Sequence, residues 1–211
     1  MAYSFRIVER RLLTSSAIEI VLAPSADFFK FVPGQYIELH YAGDHRSLSL
    51  AAAPAADGSL TLAFRHSPSR FKQALLAAPL GALVTVEGPY GVFTVTPDLE
   101  PVAFIAGGIG ITPFRAMLQV GQTASLLYAN QSEGRAAYLG ELRERAQSKQ
   151  ITLLEHYGLV DTQAVARLLS TSCAKTYFVA GPTTMVNNTM ELLLEQGVTR
   201  QQMLLEQFTG L

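Results

Sequence analysis

The feature that most constrains this chain is a change of hydrophobic periodicity near residue 97. Before it, short stretches alternate apolar and polar residues: FRIVERR, SAIEIVLA, QYIELHY, SLSLAA, SLTLAFRH and ALVTVEG, broken by PG, AGD, ADG and PLG turns. Within one of them Tyr36, Glu38 and His40 alternate with Ile37, Leu39 and Tyr41, the pattern of a strand with one wet face. After it, continuous apolar runs are each followed by a helical pattern: PVAFIA then ITPFRAMLQVG, ASLLYAN then AAYLGELRERA, ITLLEH then DTQAVARLL, TYFVAG then PTTMVNNTMELLLEQG. Alternation of that kind predicts a parallel sheet with helices on both faces. The expected fold is therefore an N-terminal antiparallel β-barrel over residues 1–97, followed by an α/β doubly wound parallel sheet over residues 98–211. One interruption of the barrel pattern, Phe71 to Ala77, sets Phe71, Ala74, Leu75 and Ala78 on one side of a helical period and predicts a short helix at one end of the sheet.

Composition narrows the function classes. The 211 residues include a single cysteine, Cys173, which excludes a four-thiolate iron–sulfur centre, a cysteine-only zinc site and an internal disulfide within this sequence. Sixteen Lys and Arg against seventeen Asp and Glu leave a formal charge of -1, so no global field favours nucleic acid or an anionic membrane surface. No apolar run approaches the roughly 20 residues that span a bilayer, and the N-terminus reads as a strand, not a signal, so a cytoplasmic location is expected. The four histidines, His40, His45, His66 and His156, form no metal-ligand run and there is no HExxH or paired CxxC, so no metal site is expected.

The sharpest motif is IAGGIGITP, Ile105 to Pro113, between an apolar run and a helix. Gly107, Gly108 and Gly110 permit a tight turn and close approach of a ligand to the backbone, and Thr112 and Pro113 open a helix whose free amides favour a phosphate. The spacing is not the GxGxxG dinucleotide fingerprint. Ala180, Gly181 and Pro182 form a second turn at a strand end, and two such turns would flank one crevice of a parallel sheet. In the first unit, FVPGQY (Phe31 to Tyr36) stands at a strand entrance. Arg46 of HRSLS offers a bidentate donor suited to phosphate, and Ser49 offers a small hydroxyl for a planar ligand edge. Arg65, His66, Ser67, Ser69, Arg70 and Lys72 form a basic, hydroxylated stretch that reads equally as a pyrophosphate site or as a capped surface helix. GPYGVF, Gly88 to Phe93, reads as a bent strand closing the barrel against the second unit, with Phe93 in core packing.

FVPGQY, RSLS, GPYGVF, AGGIGITPF, YFVAGPTTM and EQFTGL follow one another in the order and spacing of the ferredoxin–NADP reductase-like flavoproteins, which this chain resembles over nearly its whole length. The resemblance implies a barrel binding FAD or FMN and a nicotinamide-binding α/β unit. It implies that Arg46, Ser47, Leu48 and Ser49 match the RxYS flavin motif, with Arg46 on the flavin phosphate and Ser49, the candidate catalytic residue, beside the ring nitrogen that accepts hydride. His66, Ser69 and Phe71 fall around the helix start that holds the flavin pyrophosphate. Gly107, Gly108, Gly110, Thr112 and Pro113 match the nicotinamide dinucleotide loop. Gly181, Pro182 and Met185 match the CGPxxM segment beside the nicotinamide, and Glu206 and Phe208 the carboxy-terminal segment that reaches toward the flavin.

Three positions depart from the family pattern. Leu48 replaces a tyrosine that would stack on the flavin, Ala180 replaces the cysteine of CGP, and the sequence ends Gly210, Leu211 where many members end in an aromatic. The implied activity is hydride transfer from NADH or NADPH to flavin, then electron delivery to an acceptor such as a ferredoxin or an oxygenase component. A reductase that treats flavin as a diffusing substrate, and a non-catalytic flavin- or nucleotide-binding subunit, are the alternative readings. With two units filling the length, any iron–sulfur centre is expected on a partner. In the polar stretch Asn130 to Arg135, Glu133 would repel a 2′-phosphate and Ser132 and Arg135 would receive one, with a slight lean to NADH.

Overall fold

A computed structural model of the protein describes residues 1–26 and 29–209. The first unit is built from β1 (Ala2–Thr14), β2 (Ala17–Pro24), β3 (Tyr36–Tyr41), β4 (Asp44–Ser49), β5 (Leu60–Arg65), α1 (Arg70–Ala77) and β6 (Leu83–Tyr90). Its strands form one antiparallel sheet in the order β4-β3-β6-β1-β2-β5. The sheet curls until its two edges meet beyond β4, where Leu50 bridges to Leu62 and the Ala51 amide donates to the Thr61 carbonyl at 2.8 Å. Alternate residues fill the interior: Phe5 and Ile7 of β1, Ile18, Ile20 and Leu22 of β2, Ile37 and Leu39 of β3 and Val84 and Val86 of β6 make one buried cluster. α1 plugs this cluster with Phe71 and Leu75, as the helical period requires.

The second unit contains β7 (Val102–Gly107), α2 (Ile111–Gln119), β8 (Ala124–Asn130), α3 (Leu139–Gln147), β9 (Ile151–Tyr157), α4 (Thr162–Thr171), β10 (Thr176–Pro182), α5 (Thr183–Glu195) and β11 (Met203–Phe208). The strands are parallel in the order β11-β10-β7-β8-β9. Both faces are covered, which explains the unbroken apolar runs. Phe104 and Ala106 of β7 face the core under α2 and α3, while Ala103 and Ile105 face the core under α4 and α5. The chain leaves β7 toward β8 on one side, and β10 pairs on the other. This reversal opens a crevice at the carboxyl ends of β7 and β10, where open α/β sheets bind ligands.

Three local details differ from the sequence pattern. β4 spans Asp44–Ser49, three residues earlier than the SLSLAA stretch, because Leu50 and Ala51 cross to pair with Leu62 and Thr61. The segment after Gln202 is a fifth parallel strand, β11, although its residues carry no run as apolar as those of β7 or β10. α3 begins at Leu139, not at Ala136, because Tyr138 adopts φ 61° and turns its hydroxyl to the Glu19 carboxylate of the barrel at 2.7 Å. Glu19 is 3% exposed and also accepts from Arg11 Nε at 2.5 Å. Nearby, Arg115 donates to the Ala51 carbonyl and to Glu141, both at 2.7 Å, and lies 4.3 Å from the Tyr138 ring centroid. Phe93 of GPYGVF packs into the second unit's core against Phe178 and Phe114, at 5.1 and 5.7 Å between centroids. These contacts tie the two units and fix the cleft between them. No helix among the described residues is long and apolar enough to cross a membrane.

Candidate active site

A cleft of about 1050 Å³ runs between the units, with Tyr36, Arg46, Ser49, Arg65 and Lys72 on the barrel side and Gly107, Thr112, Pro182 and Glu206 on the sheet side. At one end β4 delivers Arg46 beside the start of α1. Its guanidinium donates to Asp44 Oδ1 at 2.8 Å and to the His45 carbonyl at 2.6 Å, reaches Ser69 Oγ at 3.5 Å and lies 5.5 Å from the Phe71 ring centroid. Its Nε is buried without a partner. Ser69 precedes α1 but its side chain caps no amide, leaving the first-turn N–H groups facing the same corner.

Lys72 completes that corner. It is 7% exposed, lines the cleft and makes no ion pair or hydrogen bond among the described residues. Burial, and then the neighbouring Arg46 charge, pull its pKa below the ordinary lysine value. A half-buried ammonium with no carboxylate partner, beside a second cation, costs free energy that an anion in the cleft would offset. The corner therefore suits an anionic group.

At the centre, Ser49 Oγ donates to Glu206 Oε1 at 2.7 Å, linking the end of β4 to β11. Ser49 is 7% exposed, and Glu206 Oε2 is buried with no partner among the described residues. Burial pushes the Glu206 carboxyl up from 4.5 to about 7, against the opposing effect of the Ser49 hydrogen bond. Glu206 is thus a group that holds or releases a proton near neutral pH at the meeting point of the two units.

The sheet-side wall is made of backbone. The two glycine turns, at the ends of β7 and β10, pack directly on one another. A Cβ on Gly110 would lie 2.2 Å from the Ala180 carbonyl oxygen, and one on Gly181, whose φ is +155°, would lie 3.2 Å from Gly107 Cα. Thr112 is 1% exposed and donates to the Ile109 carbonyl at 3.0 Å, bracing the first turn. The buried Tyr128 hydroxyl lies 3.1 Å from the Gly108 carbonyl.

The residues singled out in the sequence divide accordingly. Arg46, Ser47, Leu48, Ser49, Gly107, Thr112, Pro182, Glu206 and Phe208 line the cleft. Ser69 adjoins Arg46, Met185 packs against Gly107, and Gly108, Gly110 and Gly181 form the turns behind the surface. Pro113 is buried in the first turn of α2 and Phe71 is buried in the barrel core beneath Arg46. His66 is exposed and does not line the cleft; its amide closes a barrel turn by donating to the Ser16 carbonyl at 2.9 Å. Ala180 is fully buried with its methyl in the core under α2 and α3. The terminal Gly210 and Leu211 lie outside the described residues. Lys72 and Arg65 are cleft residues that motif reasoning placed only in a general basic stretch. The signal for Lys72 was its position three residues after Ser69 and three before Leu75, which puts it on the inward face of α1.

No protein-family model matches the chain. Its fold matches the ferredoxin reductase of carbazole 1,9a-dioxygenase with a TM-score of 0.85 at 23% identity, over 99% of this chain and 69% of that one. It also matches the FAD/NAD-binding domain of a nitric oxide dioxygenase from Vibrio cholerae with a TM-score of 0.81 at 18% identity, over 98% of both chains. In sequence it is 28% identical to the propane 2-monooxygenase reductase component of Mycolicibacterium goodii, over 86% of this chain and 60% of that protein. It is 26% identical to the corresponding component of Rhodococcus jostii, over 97% of this chain and 63% of that protein. The chain spans at most 63% of the length of these curated relatives. The curled antiparallel sheet followed by a parallel α/β sheet is thus the fold that this chain shares with these two structures. The two relatives in sequence are reductase components of propane 2-monooxygenases.

Proposed function

We propose that this chain is an NAD(P)H-dependent flavin oxidoreductase that delivers electrons to a redox partner of the ferredoxin or oxygenase kind. The observation that carries this reading is the cleft with Lys72, unpartnered among the described residues, beside the Asp44-paired Arg46 at one end, glycine turns along one wall and the Ser49–Glu206 pair between. A bound flavin, FAD or FMN, would accept hydride from the reduced nicotinamide and release the electrons to the acceptor. Arg46, Lys72 and the amides at the start of α1 would hold its phosphate. Gly107, Thr112 and Pro182 leave room for the nicotinamide to lie against the flavin ring. Ser49 orients the ring edge through its hydroxyl, and Glu206 fixes that hydroxyl and holds or releases a proton beside it.

NADH is the favoured donor. In the loop after β8, Glu133 accepts from Arg143 of α3 at 2.5 Å and Arg135 donates to Gln131, while Arg143 also donates to Glu155 of β9 at 2.7 and 2.8 Å. Arg135 is tied only to a neutral amide, and the exposed Glu133 carboxylate beside it would repel a 2′-phosphate.

Anaerobic stopped-flow mixing of flavin-loaded protein with NADH or NADPH, followed by flavin absorbance, tests the assignment. NADH is expected to bleach the flavin faster. Absence of bleaching with either nucleotide would remove the reductase reading. Ser49→Ala should retain flavin and slow bleaching by about tenfold to a hundredfold, the cost of misplacing reacting atoms by about 1 Å.

A further inference from the structure

The outer face of the barrel carries a group of side chains that the cleft does not use. Glu38 and His40 of β3 and Glu87 of β6 bring one carboxylate oxygen each and an imidazole nitrogen within 4.8 Å of one another. Glu38 and Glu87 stand directly opposite each other across the two strands, next to an irregularity in the pairing between Tyr36 and Glu38. Like charges in that position destabilise a strand pair unless a cation lies between them. Neither carboxylate is paired with a lysine or arginine among the described residues.

His40 supplies the second observation. Its Nε2 points between the two carboxylates, 3.9 Å from Glu38 Oε2 and 3.9 Å from Glu87 Oε1. Those distances are too long for hydrogen bonds, and although the side chain is about one-third exposed the atom itself is shielded from solvent and has no hydrogen-bond partner among the described residues. The His45 ring stacks on the His40 ring at 5.1 Å and 19°, which holds the imidazole plane in this orientation.

We propose that Glu38, His40 and Glu87 form a divalent transition-metal site, of the kind zinc occupies, that clamps β3 to β6. Two carboxylate oxygens and one imidazole nitrogen make a three-ligand set that suits zinc and leaves one position to water, whereas magnesium and calcium favour oxygen alone. Bonds of about 2.0–2.2 Å place tetrahedral ligand atoms roughly 3.3 Å apart, so the donors need to close by roughly 0.6 to 1.5 Å. The partly exposed glutamate side chains can make that movement by rotation. Tyr36, two residues before Glu38 on the same face, lines the cleft, so the clamp would stiffen the barrel-side wall.

Untagged, chelator-treated, flavin-loaded protein titrated with zinc chloride in a calorimeter, and with cobalt(II) as an optical probe, tests the site. One ion per chain is expected, with cobalt bands of a nitrogen and oxygen environment. Affinity should fall about tenfold or more in both His40→Ala and Glu87→Gln and stay unchanged in Cys173→Ser, which removes the exposed thiol. No saturable zinc binding, or binding that survives both ligand substitutions, would overturn the proposal. Normal flavin bleaching by NADH in the metal-free protein would leave the reductase reading intact, so the two fail separately.

Discussion

The barrel-side wall of the cleft presents charge on long side chains, Arg46 and Lys72, whereas the sheet-side wall presents main chain at two glycine turns pressed together. The difference shows two ways of preparing a surface for a nucleotide. On the barrel side, binding energy is held as unsatisfied electrostatics in a desolvated corner, and single side chains can be removed without rebuilding the fold. On the sheet side, the surface exists only because backbone meets backbone, so any added side chain changes the architecture.

The sharpest way to break the comparison is Gly110→Ala. The new Cβ would meet the Ala180 carbonyl at 2.2 Å, a backbone atom that cannot rotate away. Loss of about 3 kcal/mol or more of stability is expected by urea unfolding, with loss of nicotinamide binding. A variant of near-parental stability would show that the two turns can separate.

Glu206 stands where the walls meet and joins their behaviours. Because burial raises its pKa from 4.5 to about 7, the folded state binds its proton more tightly than the unfolded state. That contribution is full below about pH 4.5 and is lost as pH rises through about 7, amounting to about 3 kcal/mol at most. In flavin-free protein, Glu206→Gln should flatten this part of the stability profile between about pH 5 and about pH 8. An unchanged slope would mean that water reaches the carboxyl.

The smallest effect is expected at Lys72→Met. Flavin dissociation constants from fluorescence quenching should rise about tenfold to a hundredfold, the worth of one charge-assisted hydrogen bond. The flavin-free variant should be at least as stable as the parent, because a desolvated charge is gone. Weaker flavin binding without that stability gain would place Lys72 away from the phosphate.

Much of this was legible in the sequence because local patterns report local geometry. The glycine turns read correctly as strand ends because IAGGIGITP sits between an apolar run and a helix. Five of the six barrel strands read correctly because alternation matches a sheet with one solvated face; the fourth, read over Ser47–Ala52, lies three residues earlier. The end of the chain was harder: β11 is an edge strand, half covered, and its mixed residues carry neither the unbroken apolar run of β7 nor a clean alternation. Met203 is buried while Gln207 is exposed, and only pairing with β10 makes the segment a strand.

The sequence by itself determined the order of an alternating-strand part and a strand–helix part and the positions of the glycine turns, since each depends on residues within a few places of one another. Tertiary structure alone decided which side chains share a site. Ser49 and Glu206 are 157 residues apart and Glu38 and Glu87 lie on strands far apart in the chain, yet each pair meets. Periodicity states which way a side chain points from its own backbone. What it meets there depends on strand order and on how two independently patterned units dock, and no short window of sequence contains that information.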